Sequence, residues 1–254
     1  PQYVIDLQFN YSSKSAVVKQ TITYPNWTGE SLTNIVLAVE PNLWSGGFSL
    51  KSLASGNVPI NNYTLDGQKL EIPLPQILPP SGTVTLTMTY SLLLPQMQAY
   101  SNPNEIRPQI YGYSDRQVNF VDWYPFVVPY IPGQGWILHN PWFYGEHLVY
   151  DVADFDVSVT FTDGSSPQVA ASGAEVESLT DATPQGAVSR RFTLEAGRTF
   201  ALSMSTDYKV ATRTVGDVKV FAYYFAFYDV QGEALLQTTA QALQVFSEKF
   251  GPYR

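Results

Sequence analysis

The feature that most constrains this chain is an alternation of apolar and polar residues that recurs in short runs. Over 2–10 every second side chain is aromatic or aliphatic, and over 83–90 threonines alternate with apolar residues. The same pattern returns over 154–161 and 188–194. A period of two buries one face of a β-strand and leaves the other face to solvent. Short strands at this spacing predict an antiparallel sandwich or a large curved sheet.

Turn signals separate several of these runs. Asp66-Gly67 lies between the apolar-rich stretches 63–65 and 70–74. Asp-Gly is typical of a two-residue hairpin turn, in which both central residues adopt positive φ. We therefore predict a β-hairpin centred on Asp66 and Gly67.

The pattern changes once, near the end of the sequence. Apolar or small residues at 235, 239, 243, 246 and 250 recur at three- and four-residue spacing, which predicts a helical face, and Gly251-Pro252 ends it. The predicted fold class is mainly β: a saddle-like or sandwich antiparallel β domain over 1–213, then a strand and a helix over 214–254. Because that helix needs a surface to pack on, we expect 214–254 to be the start of an incomplete second domain.

The period is absent between about 95 and 150, where aromatic residues, Pro and Gly are dense. Trp123, Trp136 and Trp142 lie here beside several tyrosines. One interpretation is a second core packed between sheet layers, and the other is a platform that stacks on sugars or walls a peptide site. Either way the segment needs burial for its rings, so we expect it to be packed and not floppy.

Composition excludes several classes of function. The chain has 14 basic and 22 acidic residues, a net charge of −8, which disfavours nucleic-acid binding because phosphate neutralisation needs a basic surface. It has no cysteine, which excludes thiol catalysis and cysteine-ligated metals. No run approaches the length of about 18 apolar residues that a membrane span needs. Two sequons, at Asn26 and Asn62, would permit glycosylation in a secretory setting.

Polar motifs for chemistry are sparse. The two histidines, His139 and His147, stand in a Pro- and Trp-rich stretch that cannot form one regular helix, so His147 beside Glu146 is interpreted as a hydrogen-bonded loop residue and not a zinc ligand. The aspartates over 151–156 lack the glycine and glutamate of an EF-hand and are interpreted as the polar face of a strand. Asp122 could pair with Glu146 as acid and base, but the spacing gives no distance.

Several short segments, in their order along the chain, resemble the N-terminal part of the aminopeptidase-N-type zinc metallopeptidases, the gluzincins. Among them are Leu-Pro-Pro-Ser-Gly over 78–82, Trp-Tyr-Pro-Phe over 123–126 and Val-Ala-Ala-Ser-Gly over 169–173. The others are 3–9, 41–43, 70–75, 153–161 and 198–203. The stretch 240–253 is similar to the first helix of the family's catalytic domain.

The resemblance implies a saddle-shaped β domain that caps a thermolysin-like zinc domain. In the family the zinc site uses His-Glu-x-x-His and a downstream Glu, neither of which occurs here. The expected function is therefore a non-catalytic N-terminal cap that shapes the peptide-substrate cavity of a zinc aminopeptidase. We expect no cofactor and no activity in this chain alone, and zinc in the missing catalytic domain. Its expected partners are its own catalytic domain and a peptide substrate.

The family often carries a Thr-Gln-x-Glu element that contacts the amino end of the substrate. At the corresponding place this sequence has Tyr113, Arg116 and Gln117, so the resemblance implies that these three are the substrate-binding residues. The carbonyl of Gln117 would accept from the substrate ammonium group, and Tyr113 would wall the first side-chain pocket. Arg116 would repel an ammonium group and would face a carboxylate instead.

An alternative function remains open, a stand-alone secreted β-sandwich module that binds glycan or peptide through exposed aromatic residues. The helical face over 235–250 separates the two hypotheses, since a self-sufficient sandwich does not need an amphipathic helix with nothing after it. The compartment is not determined by the sequence, although an extracellular or cell-envelope location is favoured.

Overall fold

The computed structural model describes residues 1–97, 110–140, 148–176 and 187–253. The chain divides into two compact units, a larger one of Pro1–Ser166 and Ala171–Ser203 and a smaller one of Pro167–Ala170 and Met204–Arg254. Most of the described residues form short strands. In the first half of the chain these are β1 (Gln2–Asn10), β2 (Ser15–Pro25), β3 (Leu32–Ala38), β4 (Phe48–Ser55), β5 (Val58–Pro59), β6 (Thr64–Asp66), β7 (Lys69–Leu78), β8 (Thr83–Leu93), β9 (Gly112–Tyr113), β10 (Val118–Phe120) and β11 (Phe126–Val127).

The second half continues with strands and ends in one long helix. The strands are β12 (Tyr130–Ile131), β13 (Gly135–Trp136), β14 (Ala153–Phe161), β15 (Gln168–Ala171), β16 (Ala174–Val176), β17 (Val188–Gly197), β18 (Leu202–Ser205), β19 (Tyr208–Val215) and β20 (Val218–Phe225). Two 3-10 turns occupy Glu40–Leu43 and Ala226–Tyr228, and helix α1 is Asp229–Phe250. The prediction of a mainly β, largely antiparallel chain with a C-terminal strand and helix is confirmed.

An eight-stranded sheet in the order β16-β17-β14-β1-β2-β8-β4-β5 forms the larger unit's main layer. Its alternating sequences fix which face is buried: Tyr3, Ile5, Leu7 and Phe9 of β1 are all buried, while Val4, Asp6 and Gln8, which alternate with them, are exposed or half-buried. β1 pairs antiparallel with β2 but parallel with β14, with Tyr3 opposite Phe155. The interior of this open sheet thus contains a pairing between strands about 150 residues apart in sequence.

The aromatic segment supplies the second layer of this core. Trp123 and Tyr124 are fully buried, and the ring of Trp123 packs edge-on against Phe120 and Tyr124. Tyr124 in turn packs edge-on against Tyr3 of β1, at 5.6 Å between ring centroids. For these residues the interpretation as a second core is confirmed. Trp136 is half-buried, and Trp142 lies outside the described residues.

Two buried polar contacts fasten the aromatic segment to the sheet. Gln20 of β2 is 1% exposed, and its Nε2 donates to the carbonyl of Pro125 at 2.6 Å. Its Oε1 accepts from the hydroxyl of Tyr90 on β8 at 2.8 Å. The amide of Val127 donates to the hydroxyl of Tyr3 at 3.1 Å. Because a buried polar group without a partner is costly, these bonds fix the register of the segment on the sheet.

The predicted hairpin exists, but its turn is shifted by one residue. β6 and β7 pair with Asp66 opposite Lys69, so Gly67 and Gln68 occupy the turn. Of these two, Gly67 has a positive φ of 53°. Gln68 is buried, and its Nε2 donates to the carbonyl of His139 at 2.7 Å. The local Asp-Gly pattern predicts Asp66 and Gly67 as the two turn residues. In the structure the turn residues are Gly67 and Gln68, and Gln68 is held by this long-range bond.

The smaller unit contains the β19–β20 hairpin and helix α1. Gly232 of the helix is buried against the ring of Tyr224, so that a methyl group at this position would overlap the ring. Leu236 and Ala240, four and eight residues further along, are also buried. Asp229 pairs with Lys209 at 2.8 Å. The predicted domain boundary between 213 and 214 falls within β19 and stays a prediction.

Candidate functional site

The three residues assigned by resemblance, Tyr113, Arg116 and Gln117, lie on one β-hairpin. β9 and β10 pair antiparallel with Tyr113 opposite Val118. The backbone amide of Ser114 donates to the backbone carbonyl of Gln117 at 2.8 Å. The hydroxyl oxygen of Ser114 accepts from the amides of Arg116 and Gln117, both at 3.3 Å. Serine in this position closes the turn through its own side chain, so the hairpin tip has a fixed backbone.

The base of the hairpin is fixed by a glycine that no other residue could replace without strain. Gly112 has a φ of 127°, and a Cβ there would collide with the carbonyl oxygen of Pro95. The same carbonyl accepts from the amide of Tyr113 at 3.0 Å, and the carbonyl of Tyr113 accepts from the amide of Met97 at 2.7 Å. Both bonds anchor β9, the first strand of the hairpin, to residues 95–97.

The electrostatics around Tyr113 are set by a lysine far away in sequence. The ring centroid of half-buried Tyr113 is 5.8 Å from Nζ of Lys14, which lies 4.0 Å over the ring of Tyr11 and donates to the Tyr11 carbonyl at 2.6 Å. Partial burial lowers the pKa of Lys14, although the charge of Asp163 opposes that shift. A cation beside Tyr113 favours an anionic or neutral group there over an ammonium group.

Arg116 and Gln117 differ in their exposure. Arg116 is exposed at the hairpin tip, and Gln117 is half-buried. Both make contacts with other residues. The structure thus brings the three assigned residues together on one rigid turn, with Asp115 as an exposed carboxylate between them.

The described residues do not provide a metal centre. Among residues 1–97, 110–140, 148–176 and 187–253, no three His, Asp or Glu side chains lie close enough to hold a metal ion. Asp156 forms a two-pronged pair with Arg191, with bonds of 2.8 and 2.6 Å, in keeping with the interpretation as a strand face. Glu146 and His147 lie outside the described residues. The zinc that the resemblance implies therefore does not fit the part of the chain described here.

One strained acidic residue lies beside the aromatic core. Asp122 has a φ of 53°, which is uncommon for a residue other than glycine, and its carboxylate accepts from the hydroxyl of Tyr150. Burial, together with the charge of Asp122, raises the pKa of Tyr150 far above its usual range. The ring of Tyr150 also packs on Phe126 at 4.4 Å. Asp122 therefore links the middle of the aromatic segment to its end at Tyr150.

The first sequon has a structural role that the sequence did not reveal. Asn26 is completely buried, and its amide group donates to three backbone carbonyls. The side chain that glycosylation would need is therefore enclosed in the fold. Trp27, to which the sequence analysis gave no role, is 75% exposed beside it. The second sequon residue, Asn62, is exposed.

Comparisons with known proteins place the fold and leave the sequence family open. No family model matches the sequence, and no curated protein matches it. Solved structures do match: an M1 zinc metallopeptidase of Deinococcus radiodurans, crystallised as a variant bound to a Tyr-Ser-Ala substrate, is 21% identical with a TM-score of 0.64. The match covers 99% of this chain and 53% of that one.

Two further structures agree with this match. The M1 zinc metallopeptidase of Deinococcus radiodurans without the substitution is 21% identical with a TM-score of 0.62, over 99% of this chain and 53% of that one. Aminopeptidase A of Legionella pneumophila in complex with aspartic acid is 14% identical with a TM-score of 0.64, over 100% of this chain and 27% of that one.

The class that these matches define is a fold class: the chain has the fold found in part of an M1 zinc metallopeptidase or aminopeptidase. The chain spans about half the length of the M1 metallopeptidase chains it matches. The resemblance inferred from the sequence segments is confirmed at the level of the fold. Within the described part of the chain, no helix is long and apolar enough to cross a membrane.

Proposed function

We propose that the chain is the non-catalytic N-terminal domain of a zinc aminopeptidase and that it shapes that enzyme's peptide-substrate cavity. The observation that carries the proposal is the overlap of nearly the whole chain with about half of a metallopeptidase that was crystallised with a tripeptide substrate. The low sequence identity makes this a proposal about function that rests on fold.

The proposed contribution of the chain is positional. The hairpin of Gly112–Phe120 is held by Pro95 and Ser114, so the side chains at its tip are presented from a fixed backbone. In the proposal, Gln117 accepts a hydrogen bond from the substrate's amino end, and Tyr113 walls the first side-chain pocket. Arg116 and nearby Lys14 are both cationic, so they favour a carboxylate on the substrate. Zinc would supply the Lewis acid for hydrolysis and would be held by residues outside this chain.

The first test compares the activity of the isolated 254-residue chain with that of the proposed full-length enzyme. We expect the 254-residue chain to hydrolyse no aminoacyl p-nitroanilide and to carry no stoichiometric zinc, because its sequence has only two histidines and no His-Glu-x-x-His motif. We expect the longer product of the same gene to hydrolyse these substrates and to lose activity on chelation. One tightly held zinc per 254-residue chain, lost in His147→Ala, would contradict the proposal.

The second test addresses the hairpin. In the full-length protein, Gln117→Ala should lower kcat/KM for aminoacyl substrates by several-fold to about a hundredfold, because a hydrogen bond to a charged group is lost. Gln76→Ala, which removes an exposed amide of the same unit, is the matched control and should leave kcat/KM unchanged. An unchanged kcat/KM in folded Gln117→Ala would remove Gln117 from the site.

A further inference from the structure

An open cavity of about 390 Å³ lies on the larger unit, away from the hairpin of Gly112–Phe120. Its walls include three aromatic residues, Tyr24, Trp27 and Tyr130, and one carboxylate, Asp151. Thr28 and Val152 lie between them, with Pro1 and Pro25 completing the wall. Among the described wall residues there is no lysine, arginine or histidine, so these residues provide no side-chain cation to recognise an anionic ligand.

Trp27 is presented to this cavity by an unusually constrained turn. Asn26 is completely buried, and its Nδ2 donates to the carbonyls of Glu30 and of residues 78 and 79 at 2.8 to 3.1 Å. The backbone of Asn26 also exchanges two bonds of 2.8 Å with residues 81–82. Trp27 is 75% exposed, which costs hydration free energy, and the bonds of Asn26 fix the backbone from which its side chain extends.

The polar groups of the cavity divide into those already used by the fold and those still available. Glu30 is used, since its two carboxylate oxygens accept from the hydroxyl of Tyr130 at 2.6 Å and from the amide of Gly133 at 3.1 Å. Asp151 is exposed and makes no hydrogen bond or ion pair with another described residue. The indole N–H of Trp27 likewise donates to no described residue. One strong acceptor and one donor therefore remain beside an exposed aromatic face.

This combination fits a neutral sugar better than a cation. A pyranose has one face of C–H groups, which stacks on a flat indole, and hydroxyls around its edge that donate to a carboxylate. A cation is held best by several rings around one point. Trp27 has no ring contact with another described residue, and the ring of Tyr130 is already packed edge-on against Trp136 at 5.0 Å.

We propose that the cavity at Trp27 and Asp151 is a carbohydrate-binding site that stacks one pyranose ring on the indole of Trp27 and accepts hydroxyl donors at Asp151. None of the described wall residues belongs to the hairpin of Gly112–Phe120, and the inference does not rest on the proposed function. It would let the protein attach to a neutral oligosaccharide through its larger unit.

Titration of the 254-residue chain with cellotetraose, chitotetraose and maltotetraose, followed by calorimetry and by tryptophan fluorescence, tests the site. At least one of the three should bind with a dissociation constant of about a millimolar or below, a range expected for a shallow cavity. Trp27→Ala should weaken binding by about tenfold or more, and Asp151→Asn by several-fold. Phe227→Ala removes an equally exposed ring from the smaller unit and should leave binding unchanged.

Each other outcome overturns the proposal. Absence of binding for all three sugars at about 20 mM rules out the site at useful affinity. Binding that persists in Trp27→Ala places the sugar elsewhere, and Trp27-dependent binding of choline with no sugar binding makes this a cation site. Because Trp27 is exposed, its replacement should not unfold the chain, which a thermal melt checks. None of these readouts involves peptide hydrolysis, so failure here leaves the proposed function untouched.

Discussion

The two compact units differ most in how they treat their large apolar side chains. In the larger unit, Trp123 and Tyr124 are at most 1% exposed and are surrounded by other rings. In the smaller unit, Phe227 and Phe250 are 86% and 84% exposed. The sequence of both units is rich in aromatic residues, so composition does not account for the difference. What differs is whether the sequence pattern places the apolar residues on a single face of their strand or helix.

Strict alternation leaves each strand of the larger unit with a single apolar face, and one core can cover it. Helix α1 instead carries apolar residues on more of its circumference. Gly232, Leu236 and Ala240 pack within the smaller unit, while Leu235 and Phe246 on an adjoining strip are exposed. Exposed apolar side chains that share one strip of a helix are a candidate interaction surface. A cover for this strip is not provided by the described residues.

The largest expected difference between the units is the loss of stability on replacing a buried ring in one and an exposed ring in the other. We expect Trp123→Ala to lower the free energy of unfolding of the larger unit by about 3–5 kcal/mol, because it leaves a cavity and orphans the carbonyl of Phe200, to which the indole N–H donates at 3.0 Å. Phe250→Ala should change stability by less than about 0.5 kcal/mol. Urea denaturation of each variant measures both values.

The chain offers a separate probe for each unit. All five tryptophans lie before residue 166, in the sequence of the larger unit, whereas α1 is the one long helix among the described residues. Tryptophan fluorescence therefore follows the larger unit, and circular dichroism at the helix band follows the smaller one. Equal losses of stability in Trp123→Ala and Phe250→Ala would contradict the contrast in burial.

The sequence predicted the larger unit's sheet well because period two is a local signal. It could not predict that β1 and β14 pair in parallel, since local alternation holds no information on which distant strands meet. The short strands β9 to β13 were missed for a related reason. Residues 112–136 have no period, and their conformation depends on contacts such as that of Gln20 with the carbonyl of Pro125.

A methyl group added to the helix of the smaller unit should break its packing. Gly→Ala in a helix interior normally stabilises by up to about 1 kcal/mol. At Gly232 the new Cβ would overlap the ring of Tyr224, so we expect a net loss of about 1–3 kcal/mol in the smaller unit. The helix signal should be lost at lower urea, while the fluorescence transition stays in place.

Thr238→Ala, an exposed helix position, is the control for that substitution and should be neutral or slightly stabilising. If Gly232→Ala were as stable as Thr238→Ala, the close packing of α1 on Tyr224 would be wrong. The smaller unit would then differ from the larger one in the packing of its interior as well as in its exposed aromatic residues.

The candidate hairpin was predicted only in part. Tyr113, Arg116 and Gln117 came from a resemblance, and the closed turn at Ser114 agrees with their grouping. Lys14 beside Tyr113 could not be predicted, because the two residues are far apart in sequence and meet only through the fold. Trp27 was overlooked for a different reason: the Asn-x-Thr triplet has a familiar interpretation as a sequon, and burial of the Asn26 amide was not visible in it.

The smallest expected effect concerns polar contacts at one end of the larger unit's sheet. Asp163 accepts from the amide and hydroxyl of Ser12 at 2.8 and 2.6 Å, which ties the loop after β1 to the end of β14. Burial acts to raise the pKa of Asp163, but the bonds from Ser12 and Ser165 outweigh it and hold the pKa well below its usual range. A carboxyl whose pKa is lower in the folded state stabilises that state when it is ionised.

Asp163→Asn should therefore lower the free energy of unfolding of the larger unit by about 1 kcal/mol at neutral pH, since the carboxyl is largely exposed and solvent screens it. The stabilisation is complete above the unfolded pKa of about 4 and is lost as the pH falls toward the lower folded pKa. Urea unfolding followed by tryptophan fluorescence between about pH 7 and pH 2 should show the two proteins converging at the acidic end. As a control, Asp66→Asn at an exposed position should change the free energy of unfolding by less than about 0.5 kcal/mol at neutral pH. A difference for Asp163→Asn that stays constant with pH would mean that the carboxylate charge does not hold this loop.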